Sequence, residues 1–366
     1  MRVAYVHDWL ITRSGAERVL EEMLRVVEGS RIFTLFYKPE QFRGSPISKV
    51  PVEESFLARL PGAYGYYRSL LPLMPVAVES FDLSEYDLII SSSHAVAKGV
   101  LPHPGQVHIS YVHTPMRYAW DLTHQYMTSI GRLKRAVARI VLNYVRLWDY
   151  ASAQRVDTFV ANSRTVAARI KRYYGREAKV IYPPVDVHRF RLSNSVEDYF
   201  VVVARLVPYK KVDVIVEAFN RLGLRLLVVG EGPEKKRIKG LAGKNVEVLG
   251  RVGDGELIEI LSKARAFVFA AYEDFGISPV EAMASGVPVI AYGKGGVTES
   301  VENGKSGVFF MEQTPEAISE AVRRFIKIED RFVREEIRKG AMRFAPERFR
   351  REFSEVVEEV RGRLGV

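Results

Sequence analysis

Short apolar runs alternate with stretches of helical spacing along the whole chain. In the first half the runs fall at residues 3–7, 31–36, 88–91, 108–111, 158–161 and 179–182. Each is too short for a helix and is bounded by polar or turn residues, so each predicts a strand. Apolar residues recur at helical spacing at 16–27 and 165–174. The pattern breaks at Tyr182-Pro183-Pro184-Val185-Asp186, where two prolines disfavour a helix and stiffen the connection. It then restarts, with strands expected at 199–204, 225–229, 246–249, 266–270 and 288–291 and helices at 212–221 and 254–263.

Apolar strands alternating with helices predict parallel sheets covered on both faces. The expectation is therefore an α/β protein of two Rossmann-like, doubly wound domains, residues 1–185 and 186–345. A charged helix at 346–364 has no strand after it. It is expected to pack as an appendix, 346–366, back toward the first domain. Ligands of open parallel sheets bind beyond the carboxyl ends of the strands. Two facing sheets would put the site in a cleft between them.

Composition narrows the chemistry. The chain has 366 residues, long enough for two domains, and no cysteine, which removes disulfides, thiolate metal sites and cysteine nucleophiles together. That composition fits a cytosolic address. No apolar run of bilayer length occurs, and the N-terminus enters a strand without the apolar core and cleavage site of a signal peptide.

The formal charge of +10 is an N-terminal property, with 24 basic against 16 acidic residues in 1–185. Between Asp121 and Asp149 lie Arg132, Lys134, Arg135, Arg139 and Arg146 with no acid among them. They alternate with Leu133, Val137, Ile140, Val141, Leu142 and Val145, the pattern of a basic amphipathic helix. Such a helix lies on an anionic membrane surface or packs on a core with a solvated basic back. A second apolar segment, 56–75, sets Tyr64, Tyr66, Tyr67, Leu70, Leu71 and Leu73 beside Arg59 and Arg68. It suits either a membrane interface or an irregular buried hairpin. No nucleic-acid-binding motif accompanies the charge, so nucleic acid is not an expected partner. The oligomeric state is not legible.

Several mechanisms have no foothold. There is no P-loop, and Gly230-Glu231-Gly232-Pro233-Glu234-Lys235 departs from the dinucleotide fingerprint at its third glycine. No Asp-x-Asp pair and no paired-histidine metal motif occurs, so no metal site is expected.

Four features remain. Glu273 and Glu281 bracket a strand-to-helix loop at the expected carboxyl edge of the second sheet. There carboxylates accept hydrogen bonds from sugar hydroxyls, and loop and helix N–H groups face a phosphate. Ser278 before Pro279, with Glu281 three positions on, reads as a capping box that starts a helix at Pro279 and ends it at Gly286. In the bland reading Glu281 only caps. Arg205 and Lys210 follow the first strand of the second half and offer a guanidinium fork and a point charge to a diphosphate, or are a solvated pair. Ser14-Gly15-Ala16-Glu17 opens a helix after the first strand and leaves room for an anion. His113, after the strand at 108–111, can bond a sugar hydroxyl or be structural.

Together these features resemble the retaining glycosyltransferases of the GT-B fold, family 4. Glu273 to Glu281, with Phe275-Gly276-Ile277 and the run on to Ala291, looks like that family's E-x7-E element. Arg205-Leu206-Val207-Pro208 with Lys210 looks like its diphosphate clamp. Gly230-Glu231-Gly232-Pro233 and Gly295-Gly296-Val297-Thr298-Glu299 fit in order and spacing. The segments Val6-His7-Asp8-Trp9-Leu10 and Ser91-Ser92-Ser93-His94-Ala95-Val96-Ala97-Lys98-Gly99 are most similar to bacterial O-antigen mannosyltransferases, the WbaZ-like group. One departure is Ser14, where the family often has a first glycine.

The resemblance implies roles. Arg205 and Lys210 hold the diphosphate and stabilise its charge as it leaves, and Glu281 binds the ribose. Glu273 with the backbone of Phe275, Gly276 and Ile277 holds the donor sugar and diphosphate. His113 touches the donor sugar and Gly15 faces the phosphates. No cofactor or metal is needed, because fixed cations and helix N-termini stabilise a departing diphosphate. The implied reaction is retaining transfer of mannose from GDP-mannose to a lipid-linked or polysaccharide acceptor in O-antigen or lipopolysaccharide assembly. The implied place is the inner face of the cytoplasmic membrane. Alternatives are a hexosyltransferase using a UDP- or ADP-sugar, a sugar-nucleotide epimerase of the same fold, and a non-catalytic membrane-surface scaffold.

Overall fold

In chain order the strands of the N-terminal part are β1 (Val3–His7), β2 (Arg31–Thr34), β3 (Val52–Glu54), β4 (Leu88–Ser93), β5 (Val107–Val112), β6 (Thr158–Ala161) and β7 (Lys179–Val180). They form one sheet in the order β3-β2-β1-β4-β5-β6-β7, parallel throughout. The C-terminal strands are β8 (Phe200–Val203), β9 (Leu226–Val229), β10 (Val246–Gly250), β11 (Ala266–Phe269), β12 (Val289–Tyr292) and β13 (Gly307–Phe310). They form a second parallel sheet in the order β10-β9-β8-β11-β12-β13. Both orders reverse direction once, between β1 and β4 and between β8 and β11, which makes each sheet doubly wound.

These coordinates are a computed structural model, and residues 1–121, 123 and 131–364 are described. The side chains of 132–134, 363 and 364 lie outside that description. The chain divides into two compact units, Met1–Pro184 with Phe349–Val366, and Val185–Arg348.

Central strands are buried because they read apolar on both faces. In β1, Ala4 and Val6 enter one core cluster while Val3 and Tyr5 enter the other, so alternate residues face opposite layers. The helix Pro346–Leu364 supplies Phe349, Phe353, Val356, Val357 and Val360 to the second of these clusters. Burying five large side chains there explains why the chain returns to the N-terminal unit after Arg348.

Two strands escape the sequence pattern. β3 reads Val-Glu-Glu and is half-buried at the sheet edge, where no apolar run is required. β13 is short and follows a glycine-containing turn at Asn303–Gly307. The expected capping box at Ser278 is also corrected. The helix spans Ile277–Ala284 and its N-cap is Gly276, at φ 88°, with no side-chain cap. A left-handed residue that glycine adopts freely starts the helix earlier than Ser278.

Candidate active site

The second sheet brings its candidates to one edge. Arg205 follows β8, and the 3-10 turn Pro208–Lys210 follows Arg205. Lys211 then takes φ 55°, the one positive-φ residue other than glycine among the described residues, and the helix Val212–Leu222 begins. Glu273 follows β11. The Lys210 Nζ and a Glu273 carboxylate oxygen form an ion pair, so the two loops meet where β8 and β11 part, the switch point of this sheet. Arg205, on the same loop as Lys210, is exposed, and its guanidinium has no ion-pair or hydrogen-bond partner among the described residues.

Glycines set how closely these loops approach. A Cβ on Gly296 would lie 2.1 Å from the Asp274 carbonyl oxygen and 2.4 Å from Phe275 Cα. The Gly296 N–H donates to the Glu273 carbonyl at 2.9 Å. On the other side a Cβ on Gly232 would lie 2.2 Å from the Leu206 carbonyl, whose residue donates its N–H to Glu231 at 2.9 Å. The Gly230–Gly232 and Gly295–Gly296 turns therefore clamp the loops that carry Arg205 and Glu273. Phe275 and Gly276 are buried behind Glu273, and Ile277 opens the helix whose first N–H groups complete this edge.

Glu281 sits one turn into that helix, nearly buried. Arg189 donates to Glu281 Oε1 at 3.2 Å, lies 3.7 Å from Asp254 and stacks on Phe190. Sequence reasoning passed over Arg189, which is 92 positions from Glu281 and belongs to no local motif. Its Nε is buried without a hydrogen-bond partner.

The N-terminal sheet has its own polar edge at its own switch point. Asp8, after β1, is fully buried and receives N–H bonds from His94, Ala95, Val96 and Ala97 at 2.6–2.9 Å. It stitches together the two segments on which the narrower resemblance rested. Burial alone would raise the Asp8 pKa. The charge of His94 and these N–H donors outweigh that and hold it below the usual carboxylate range. His94 Nδ1 lies 3.1 Å from Asp8 Oδ2. Neither pattern nor spacing marked Asp8 or His94, because their partners come from a different strand.

His113 follows β5, is hydrogen-bonded to Ser92 Oγ through Nε2 at 2.8 Å, and lies 6.3 Å from the His94 ring. Burial pushes its pKa down to about 3, so it acts as a neutral imidazole. Gly15 is the first residue of the helix Gly15–Val26. Next to it, Glu17 accepts hydrogen bonds from the Ser14 N–H at 2.9 Å and hydroxyl at 2.6 Å. Burial opposes ionisation of Glu17, yet His7 and Ser14 together lower its pKa to about 2. A carboxylate thus already occupies this helix start.

Among the described residues no group of three or more His, Asp or Glu side chains is placed to hold a metal ion. None of their helices is long and apolar enough to cross a membrane.

Comparison with known proteins agrees with this architecture. Residues 13–189 match the family model described as Glycosyltransferase Family 4, and residues 186–343 that of Glycosyl transferases group 1. A GDP-mannose-dependent alpha-(1-6)-phosphatidylinositol monomannoside mannosyltransferase of Mycobacterium tuberculosis is 30% identical over 56% of this chain and 60% of its own length. An uncharacterised glycosyltransferase of Methanocaldococcus jannaschii is 27% identical over 48% of this chain and 51% of its own. The chain thus matches about half to three-fifths of these relatives' length. Among solved structures, Anabaena HepE in complex with UDP and glucose aligns with a TM-score of 0.72 at 18% identity, over 98% of this chain and 99% of that one. Sucrose-phosphate synthase from Thermosynechococcus elongatus aligns with a TM-score of 0.75 at 18% identity, over 99% and 100%. The fold is the two-domain GT-B fold.

Proposed function

We propose that this chain, which carries the Family 4 domain and the group 1 domain of the glycosyl transferases, moves mannose from GDP-mannose to a lipid-linked or polysaccharide acceptor in cell-surface glycan assembly. The observation that carries the reading is the Lys210–Glu273 pair at the switch point of the second sheet, with Arg205 exposed on the Lys210 loop. Mannose and GDP are favoured by the Mycobacterium tuberculosis relative, whose name states that donor.

In this reading Arg205 and Lys210 grip the diphosphate, and the N–H groups at the start of the helix Ile277–Ala284 face it. Glu273 accepts from a sugar hydroxyl and Glu281 from the ribose. The bond from sugar C1 to the phosphate oxygen breaks with its electron pair going to the phosphate, where the fixed cations stabilise the charge. The acceptor hydroxyl oxygen bonds to C1 on the same face, and its proton passes to the departing phosphate oxygen. Configuration is retained without an enzyme nucleophile. His113, its pKa pushed down by desolvation, exchanges hydrogen bonds with sugar hydroxyls as a neutral imidazole.

The test is turnover of GDP-mannose, UDP-glucose and ADP-glucose, each with and without a lipid extract as acceptor. The parent should consume GDP-mannose fastest and only with acceptor. Folded Arg205→Ala and Glu273→Ala variants should each lose about 10²–10³-fold in kcat. Turnover unchanged in those variants overturns the site, and product formed without acceptor points instead to epimerisation.

A further inference from the structure

Two segments of the N-terminal unit cover the same face of its sheet. Val141, Leu142, Val145 and Trp148 of the helix Arg132–Ala153 share one core cluster with Leu57, Ala63, Met74 and Ala77. The Trp148 Nε1–H donates to Glu79 Oε1 at 2.7 Å and ties the helix to the segment beside it. The inward residues are thereby accounted for.

The outward residues depart from the pattern of a water-facing surface. The exposed side of the helix carries Val137, Ile140, Tyr144, Leu147 and Tyr150, three or four positions apart. Ile140 is 72% exposed, Leu147 65% and Val137 58%. A soluble helix puts polar residues on that side. The adjoining segment exposes Phe56, Leu60, Tyr66, Leu73 and Val76, the last to 54%. Two stretches distant in sequence thus present large apolar side chains from one layer of the unit.

Their charge has one sign. Neither 55–78 nor 122–148 contains an Asp or Glu. Arg59, Arg68 and Arg139 are exposed there. Arg132 and Lys134, counted in the sequence pattern, have side chains outside the described residues. At the margins Glu79 is paired with Arg155 at 2.7 Å, and Asp149 is buried against Lys98. Both segments therefore offer apolar side chains among arginines with no carboxylate of their own to repel an anion.

We propose that this face docks the protein on an anionic lipid bilayer. The helix Arg132–Ala153 lies in the plane of the interface with Ile140 and Leu147 inserted, and its arginines stand at the headgroups. A second copy of the chain would set the same arginines against one another, whereas an anionic surface neutralises them. The inference goes beyond the donor reading, because it uses no residue of the C-terminal unit.

The experiment is co-sedimentation of the full chain with phosphatidylcholine vesicles, alone and with about a third phosphatidylglycerol, at low and raised salt. The parent is expected on the anionic vesicles only, with binding that weakens as salt rises. The doubly substituted Ile140→Asp, Leu147→Asp protein should lose about tenfold or more in vesicle affinity. Arg139→Glu should lose at least about fivefold. All three positions are exposed, so melting temperature and nucleotide binding should match the parent and separate this result from any failure of the donor site. Equal binding to neutral vesicles, no binding to either, or unchanged binding by the double variant overturns the proposal. So does sedimentation velocity that shows a dimer which the double variant dissociates.

Discussion

Gly296 shows how one residue without a side chain positions residues that have one. Its missing Cβ is what lets the turn after β12 close on the backbone at Asp274 and Phe275, and so fixes the loop bearing Glu273. A methyl group there forces that loop back, at about 1–3 kcal/mol for an overpacked contact. Gly296→Ala should therefore lower the melting temperature by several degrees and weaken nucleoside diphosphate binding about tenfold in the same protein. Thermal unfolding and calorimetric titration check both, and a melting temperature lowered with affinity intact would detach the glycine from the site. The Arg189–Glu281 contact teaches the opposite lesson. Glu281 was legible from its spacing to Glu273. The partner that orients it lies 92 positions away, where no periodicity or motif connects the two.

At the scale of elements, β5 carries one imidazole near its start and another just past its end, and the fold keeps both neutral. His108 is buried and bonded to Ser91 Oγ at 2.8 Å, His113 is half-buried and bonded to Ser92 Oγ, and desolvation depresses both from 6.5 to about 3. Between those limits the unfolded chain binds protons that the folded chain does not. The stability from both is therefore complete above about pH 6.5 and falls away as pH drops toward 3. Glu17, lowered to about 2 against burial, adds a further loss between about 4.3 and 2. All three residues belong to the N-terminal unit, as do Trp9, Trp120 and Trp148, the three tryptophans of the chain. Tryptophan fluorescence in urea should thus show a midpoint that declines steadily once pH falls below about 6.5, and His108→Gln should flatten that decline. A midpoint level down to about pH 4 would contradict it.

At the scale of the molecule, much of the fold was legible because its strands are buried on both faces and read as continuous apolar runs. β1 and β6 match their sequence ranges, and most others shift by a residue or two at the ends. The sequence pattern did not reveal β3, whose edge position tolerates Glu53 and Glu54, nor the start of the helix at Ile277, which depends on a left-handed Gly276. The amphipathic pattern of 132–146 left two orientations open, and the structure divides the apolar stripe: Val141, Leu142 and Val145 join the core, whereas Val137 and Ile140 face outward. Asp8 and its four N–H donors lay inside segments that attracted notice, yet their pairing depends on β1 and β4 being neighbours, which is a property of the sheet order.

The claim on which the account turns is that Arg205, Lys210 and Glu273 make one edge of the second sheet a nucleoside diphosphate site. Isothermal titration of GDP, UDP and ADP into the parent and into Arg205→Ala tests it without a known acceptor. The account predicts saturable binding, GDP the tightest, with affinity at least about tenfold weaker in the folded variant, since a charged hydrogen-bond partner is lost. Absence of binding by every nucleotide, or equal affinity in parent and variant, would contradict it.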